Sequence, residues 1–544
     1  MTDETPRTVV LGFDALAFRY LDRFAEVTPN LQSLREDGVE ASLRSTFPPW
    51  TGSAWPSMYT GVDPSHHGVY SFFQYDHYPD EGSVITRNDV DAPALWNYLN
   101  AEDVSVAVMN VPVTHPAEPV SGALIPGYLA TEDSPGYPEA VRDELSEAIG
   151  EPYRIYSSAE TSTDKEEKLA GYLDLLDLRR RAALSFLDST DWEFAFVQVQ
   201  KTDAVFHNFD DDAAFRKVYA TADRLVGHVL DAVEDDVNVV VCSDHGIGPT
   251  RGHRIYVNEV LRRHGYIETT SERSHDSLDT VKADLTSAET SDGTEPTALS
   301  RAVTKMGLAL DRLGVSPADV YAAARRVGVG DRLLALAPSE LRGATGENVD
   351  WRASKAYCRS SSRLGIRINL EGREPDGIVP QSEYEAVRDD IVDLLSGLRT
   401  PDGKPAFEFV KRREEVYDGP HADRADDVLF LPRGMDNQIA ISLYGRRFLS
   451  VDTYDHKRDG VFIGTGPGFE SDAPETLSLT DVAPICMALL GRPVPTRMTG
   501  RVPGGLLSVP VDECDYPDVD FGTDEVEPTD DEEVTERLED LGYL

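Results

Sequence analysis

"VNVVVCSDHG", residues 237–246, decides the fold. A strand with one wet face alternates apolar and polar residues. This run is almost continuously apolar, which predicts a strand buried on both faces, as in a sheet covered by helices on either side. It then stops abruptly at an adjacent Asp244 and His245. Similar runs recur outward along the chain: "TVVLGFD" (8–14), "VSVAVMNVP" (104–112), "EFAFVQVQ" (193–200), "DVLFLP" (427–432) and "GVFIGTGPG" (460–468). Helical patterns lie between them, among them "TPNLQSLREDG" (28–38), "KLAGYLDLLDLRRRAALSFLDS" (168–189) and "SLTDVAPICMALLG" (478–491). Strands alternating with helices predict an α/β fold with a mostly parallel central sheet.

The chain has 544 residues, enough for several domains or one large α/β domain with insertions. Residues 268–345 break the pattern. Residues 268–300 are polar and rich in Ser, Thr and Asp, and 301–342 are helical in character. They read as a helical cap inserted into a single catalytic domain formed by 1–267 and 346–510. Residues 511–544 read as an acidic tail ending in a short docking helix.

The net charge is −45, with 97 acidic against 52 basic residues spread along the whole chain. A diffuse acidic excess reads as a surface adapted to high salt, where self-repulsion is screened. Such a surface repels nucleic acid and anionic membranes, so neither is an expected partner. None of the four cysteines forms a C-x-x-C motif, which disfavours a zinc ribbon or a disulfide framework. "MTDETPRTVVLGFD" runs straight into a strand without an apolar signal region, and no window reaches the ~18 apolar residues of a membrane span. A cytoplasmic location is the expectation. Oligomeric state is open.

Ligands in open α/β sheets bind beyond the carboxyl ends of the strands, so the polar residues that end each run matter most. These are Asp14, then Asp203 and His207 in "KTDAVFH", then Asp244 and His245, and finally His456 before the last apolar run. Asp203 and His207 are spaced i, i+4, which puts both on one face of a helix. Histidine nitrogen and carboxylate oxygen suit zinc, and six such groups suffice for two three-ligand sites. Each residue also has a plainer reading. Asp14 fits a turn or cap, Asp203 and His207 a solvated helix face, and His456 a surface loop. His66 and His67 precede a glycine and fit structural roles, as does His253.

A second stretch, "PPWTGSAWPSMYTGVDPSHHG" (48–68), places Thr51 at the start of a short helix. There it fits an N-cap. A hydroxyl at a helix N-terminus also faces free N–H groups and the positive end of the dipole, where a phosphate binds.

Together these residues resemble the alkaline phosphatase superfamily, and more closely its type I phosphodiesterase/nucleotide pyrophosphatase branch. The order Asp14, Thr51, Asp203-x-x-x-His207, Asp244-His245 and His456 is similar to that family's order of nucleophile and metal ligands. "NVPVTHPAEPVSGALIPGY" (110–128), "INLEGREPDGIV" (368–379) and "LTDVAPICMALLGRPVPTRMTGR" (479–501) add to the likeness. The resemblance implies a three-layer sandwich and two divalent cations, zinc first and manganese as the alternative. It implies one metal held by Asp203, His207 and His456 and the other by Asp14, Asp244 and His245. Thr51 would lie between both metals as nucleophile, with the backbone N–H of Gly52 holding a phosphate oxygen. The substrate would be a small phosphate ester, a phosphodiester or nucleotide pyrophosphate, hydrolysed through a phospho-threonine.

The site reads T-G-S-A-W, without the C/S-x-P-x-R of sulfatases, which disfavours sulfate esters. Two alternatives stay open. One is a phosphomutase or phosphotransferase on the same scaffold, and the other is a catalytically silent binding module.

Overall fold

The computed structural model describes residues 7–75, 82–234, 236–270, 348–443, 445–470 and 473–523. Eight strands build the main sheet: β1 (Thr8–Phe13), β2 (Val39–Arg44), β3 (Val106–Met109), β4 (Gly122–Ile125), β5 (Phe194–Val199), β6 (Asn238–Ser243), β7 (Asp459–Thr465) and β8 (Thr476–Ser478). Their spatial order is β8-β2-β7-β6-β1-β5-β3-β4. All pairings are parallel except those of β7, which runs against β2 and β6. The sheet is therefore mixed but mostly parallel, and helices cover it as an α/β sandwich.

The centre of the sheet is the dry part. Every residue of β1, β5 and β6 is buried, as their unbroken apolar runs require. The strand β2 alternates buried and wetter residues, which marks it as nearer the edge. Helix α1 (Thr51–Thr60) packs on one part of the layer with Val482–Leu489. Gly12 in the middle of β1 lets it approach closely, because a Cβ there would stand 2.8 Å from the Trp55 ring and 2.7 Å from Phe196. The long helices α2 (Lys165–Ser189) and α3 (Asp212–Ala232) pack on each other. Both are capped by aspartates: Asp164 accepts from the N–H groups of Glu166 and Glu167, and Asp211 from that of Ala214.

A second hydrophobic core lies in the later half of the chain. There "DVLFLP" forms the strand Val428–Pro432, but in a separate antiparallel sheet with Ala356–Tyr357, Gly365–Ile368 and Phe407–Arg412. A continuous apolar run shows that a strand is buried on both faces; it does not show which sheet receives it. The cap read at 268–345 falls largely on residues outside those described. Its base is closed by an antiparallel ladder between Glu268–Thr270 and Asn348–Asp350.

The docking helix expected near the C-terminus also lies outside the described residues. Residues 511–523, by contrast, are tied to the body: Glu513–Cys514 pairs with Val494–Pro495, and the Tyr516 hydroxyl donates to Glu102 at 2.9 Å. The Gly522 N–H donates at 2.6 Å to Glu118. Glu118 is itself buried, and takes 2.7 Å and 2.8 Å bonds from Arg87 Nε and Trp96 Nε1. Burial alone would raise its pKa, but Arg87 and these donors hold the carboxyl below its usual range. Glu118→Ala strands the Arg87 guanidinium without its counter-charge. We expect a loss of about 3–5 kcal/mol in stability, read by denaturant unfolding at fixed salt. A loss below ~1 kcal/mol would show that water reaches Arg87.

Candidate active site

The register of the central strands builds the site. Phe13 is level with Val199 on one side and Ser243 on the other, so β1, β5 and β6 end together. The chain continues beyond each end into a polar residue. The exits are bound to one another: the Asp14 N–H donates to the Val199 carbonyl, and the Thr202 hydroxyl to the Asp14 carbonyl. The Ala15 N–H donates to Asp244 Oδ1 at 3.2 Å. Ala15 and Lys201 have φ of 54° and 75°, a region that costs non-glycine residues of order 1–3 kcal/mol. Both turns swing the following side chains back over the strand ends.

Asp203 stands at the head of the short helix Ala204–Asn208, with no capping bond from its side chain. Its Oδ2 is 3.2 Å from His207 Nε2 one turn later. His456 lies within the strand Thr453–Lys457, opposite Ile247 of Gly246–Thr250, rather than in a loop before the next strand. That pairing brings His456 Nε2 to 3.4 Å from Asp203 Oδ1 and 3.3 Å from His207 Nε2. On the other side, His245 Nε2 is 3.3 Å from Asp244 Oδ2 and 3.8 Å from Asp14 Oδ1. The two groups are continuous, because the rings of His245 and His456 stack edge to face at 4.2 Å. Ligand-type atoms of Asp203, His245 and His456 also lie within 4.8 Å of one another.

Thr51 completes the cluster. Its Oγ1 is 3.4 Å from His245 Nε2, and the residue is 2% exposed. The N-cap expectation for Thr51 is corrected here. Trp50 occupies the cap position with extended backbone, and Thr51 is the first helical residue. Its hydroxyl is thus not spent on the helix. The N–H groups of Ser53 and Ala54 turn back to the Trp50 carbonyl, while those of Thr51 and Gly52 have no intrahelical acceptor. Gly52 packs under the next strand segment: a Cβ would lie 3.0 Å from the Ser71 carbonyl oxygen and 3.2 Å from Phe72. The structure therefore brings together Asp14, Thr51, Gly52, Asp203, His207, Asp244, His245 and His456. His67 is elsewhere, buried with its Nε2 2.9 Å from Ser57 Oγ, and His66 sits beside Asp63 at 3.1 Å.

The electrostatics of this cluster are set by buried carboxylates with too few hydrogen-bond donors. Asp14 Oδ1, Asp203 Oδ1 and Asp244 Oδ2 are buried and accept no hydrogen bond. Burial, then Asp244 and Asp203, push the Asp14 carboxyl well up; burial and then Asp203 do the same to Asp244. Burial also works against Asp203, yet His207 and His456 hold it well below the usual range. His207 rises to about 9 because Asp203 outweighs its burial. His245 is lowered by burial, and His456 falls to about 4 through burial and His245. The Nδ1 of His245 meets the Gly246 carbonyl oxygen at 3.1 Å, which leaves its lone pair on Nε2, facing Thr51 and the carboxylates. Three carboxylates with unpaired oxygens beside the imidazoles of His245 and His456, which burial keeps neutral, fit divalent cations of the zinc or manganese type.

This predicts a sloping stability curve for metal-free protein. His207 is held protonated by the fold, so its contribution is full below 6.5 and is lost as pH rises to about 9. Asp14 and Asp244, also raised, lose stability in the same direction. Asp203, lowered, is ionised in both states throughout this window; His245 and His456, lowered, are neutral in the folded state and oppose the trend only until their unfolded counterparts lose their protons just above 6.5. Thermal unfolding in chelator at fixed salt should give a Tm that falls between pH 6.5 and 9. A flat or rising Tm would mean that Asp203 does not hold the His207 proton.

Four residues of the site were not singled out from the sequence. A narrow cavity beside Thr51 and Asp14 is lined by Tyr128, Glu160, Gln200 and Lys201 as well as Asp203 and Ala204. Glu160 and Lys201 form a buried ion pair. Lys201 carried a visible signal, two residues before Asp203. Tyr128 closes the quoted stretch 110–128, three residues past β4, but nothing in that stretch singles it out; Glu160 carried no signal, because nothing local links it to a strand exit.

The curated relatives are animal proteins. The chain is 21% identical over 254 residues to ectonucleotide pyrophosphatase/phosphodiesterase family member 3 of Bos taurus, covering 45% of this chain and 25% of that protein. The Rattus norvegicus protein of the same name is 22% identical over 259 residues, with 46% and 26% covered. The chain thus spans about a quarter of the length of the curated relatives it matches. Among solved structures, phosphonoacetate hydrolase from Sinorhizobium meliloti 1021 in complex with phosphonoformate superposes with a TM-score of 0.51 at 15% identity. That match covers 88% of this chain and 94% of the hydrolase. The structural likeness establishes the alkaline phosphatase-like fold, and no described helix is long and apolar enough to cross a membrane. Residues 8–435 match the family model for type I phosphodiesterase/nucleotide pyrophosphatase, and the chain belongs to that family.

Proposed function

We propose that the protein hydrolyses phosphodiester or pyrophosphate bonds of small substrates with Thr51 as nucleophile. The observation that carries this reading is the convergence of three aspartates and three histidines on one helix-start hydroxyl. Asp203, His207 and His456 would hold one divalent cation; Asp14, Asp244 and His245 would hold the other, with Thr51 between them. When bound, the cations would supply positive charge to the reacting oxygens and favour the ionised hydroxyl. Zinc suits the mixed nitrogen and oxygen donors, and manganese the carboxylate half.

The chain's own residues do the rest. Thr51 Oγ1 is held at a strand-to-helix turn by the packing of α1 against Gly12. Its proton lost to solvent, it attacks phosphorus, forming a Thr–O–P bond as the P–O bond to the leaving group breaks; the departing oxygen takes a proton from solvent. Water then cleaves the phospho-threonine and restores the hydroxyl. The Gly52 N–H, at the positive end of the helix, would hold a non-bridging oxygen through both steps.

The family model favours the diester class. The cations would offset Asp14 and Asp203, and Lys201, the cationic side chain in the lining of the cavity beside Thr51, is already paired with Glu160. The lining thus leaves no further cation for the second charge of a monoester dianion. In high salt with zinc or manganese, we expect bis-p-nitrophenyl phosphate to be cleaved at least ~10-fold faster than p-nitrophenyl phosphate. Addition of an alcohol acceptor should not divert the phosphoryl group, which separates a hydrolase from a phosphotransferase. No cleavage of either ester with either metal would leave a binding module as the better account. The acidic surface fits the high salt of the assay and a cytoplasm of that kind.

A further inference from the structure

We propose that the cavity beside Thr51 is a subsite for one hydroxyl of the substrate, so that the preferred diesters are those of polyols or sugars. The proposal rests on the phosphodiesterase reading and sharpens it. The cavity has a volume of about 20 Å³. One water-sized oxygen needs about 10–15 Å³ of such space, so a single oxygen fits. Two of its lining residues carry a buried polar atom with no hydrogen-bond partner, the Tyr128 hydroxyl and Gln200 Oε1. Tyr128 is 6% exposed and Gln200 3%. Unmet polar atoms at this depth are costly, which points to a ligand that meets them.

The two atoms also say what kind of oxygen enters. Gln200 Oε1 can only accept, and the Tyr128 hydroxyl can donate or accept. A phosphoryl or carboxylate oxygen, which only accepts, pairs with Tyr128 and leaves Gln200 unmet. An alcohol does both: it donates to Gln200 Oε1 and accepts from Tyr128. Lys201 adds a further donor at the same wall, held by its buried pair with Glu160. Because Thr51 and Asp14 line the same cavity, the hydroxyl must sit close to the phosphorus under attack. A hydroxyl on the second carbon from the ester oxygen, vicinal to it, meets that condition, and a distant one does not.

Tyr128→Phe keeps the ring, which packs edge to face on Tyr156 at 5.9 Å, and removes the hydroxyl alone. The first measurement compares p-nitrophenyl 2-hydroxyethyl phosphate with p-nitrophenyl ethyl phosphate. Wild type is expected to prefer the hydroxylated ester in kcat/KM by at least ~10-fold. In Tyr128→Phe, and independently in Gln200→Met, that ratio is expected to fall towards one. A wild-type ratio near one, or a ratio unchanged in both variants, overturns the subsite and leaves a resident water in the cavity. The second measurement does not need turnover. Calorimetric titration of glycerol 3-phosphate against propyl phosphate, with zinc present, should show the same preference and its loss in Tyr128→Phe. If no ester is cleaved but the titration shows the preference, the diesterase reading fails and the subsite stands. If cleavage occurs and neither measurement shows the preference, the reverse holds.

Discussion

Thr51→Ala is expected to lower kcat/KM for bis-p-nitrophenyl phosphate by at least about 10³-fold, with the fold intact. Thr51 Oγ1 faces the cluster side chains, 3.4 Å from His245 Nε2. Stability should barely change, and the reason is structural. Were Thr51 the N-cap, its loss would cost about 1 kcal/mol. Trp50 holds that position, and Thr51 makes no capping bond. Alanine is also a strong helix former at a first-turn site. Thr51→Ser should retain more activity than Thr51→Ala, since it keeps the oxygen. A Thr51→Ala protein as active as wild type would remove Thr51 from the chemistry. A variant that is both inactive and markedly less stable would return it to the role of a cap.

Asp244→Asn has the second large effect, and it has two opposite signs. Activity and metal content should both fall, the rate by about 10²-fold or more, because a neutral amide is a far weaker ligand for a divalent cation. The metal-free protein should become more stable, by about 1–3 kcal/mol. Asparagine keeps an Oδ1 to accept from the N–H groups of Ala15 and His245, at 3.2 Å and 3.0 Å in the native residue. It replaces the Oδ2 that has no hydrogen-bond donor and whose charging is opposed by burial and by Asp203. Metal analysis and thermal unfolding in chelator read the two effects separately. A metal-free variant less stable than wild type would mean that the carboxylate is paid for by contacts other than a cation.

Much of the scaffold was legible along the chain. The unbroken apolar runs at 8–14, 193–200 and 237–246 became the three fully buried central strands. Runs of that kind are legible because double-sided burial leaves no room for alternation. The strands β2, β4 and β8 were not anticipated. Two of them have three or four residues, and β2 alternates, so neither length nor continuity marks them. "DVLFLP" was legible as a strand but joined the second core, because partner choice depends on side chains far away in sequence. The cap position at Thr51 was misjudged for a related reason. A Thr before a helix looks like a cap on composition, but here the turn entering from Pro48 and Pro49 places the boundary one residue earlier.

By itself, the sequence determined the strand-helix alternation, the acidic surface and the identity of the polar residues that end the buried runs. These are local properties, set by a few neighbouring side chains and by what burial allows them to be. Tertiary structure alone decided that Phe13, Val199 and Ser243 are level, that His456 reaches Asp203 across an antiparallel pair, and that Tyr128 and Gln200 share a cavity with Thr51. Those facts depend on strand register and turn direction. A shift of one residue along any of the three central strands would turn its side chains to the opposite face, and no property of the linear sequence shows that shift.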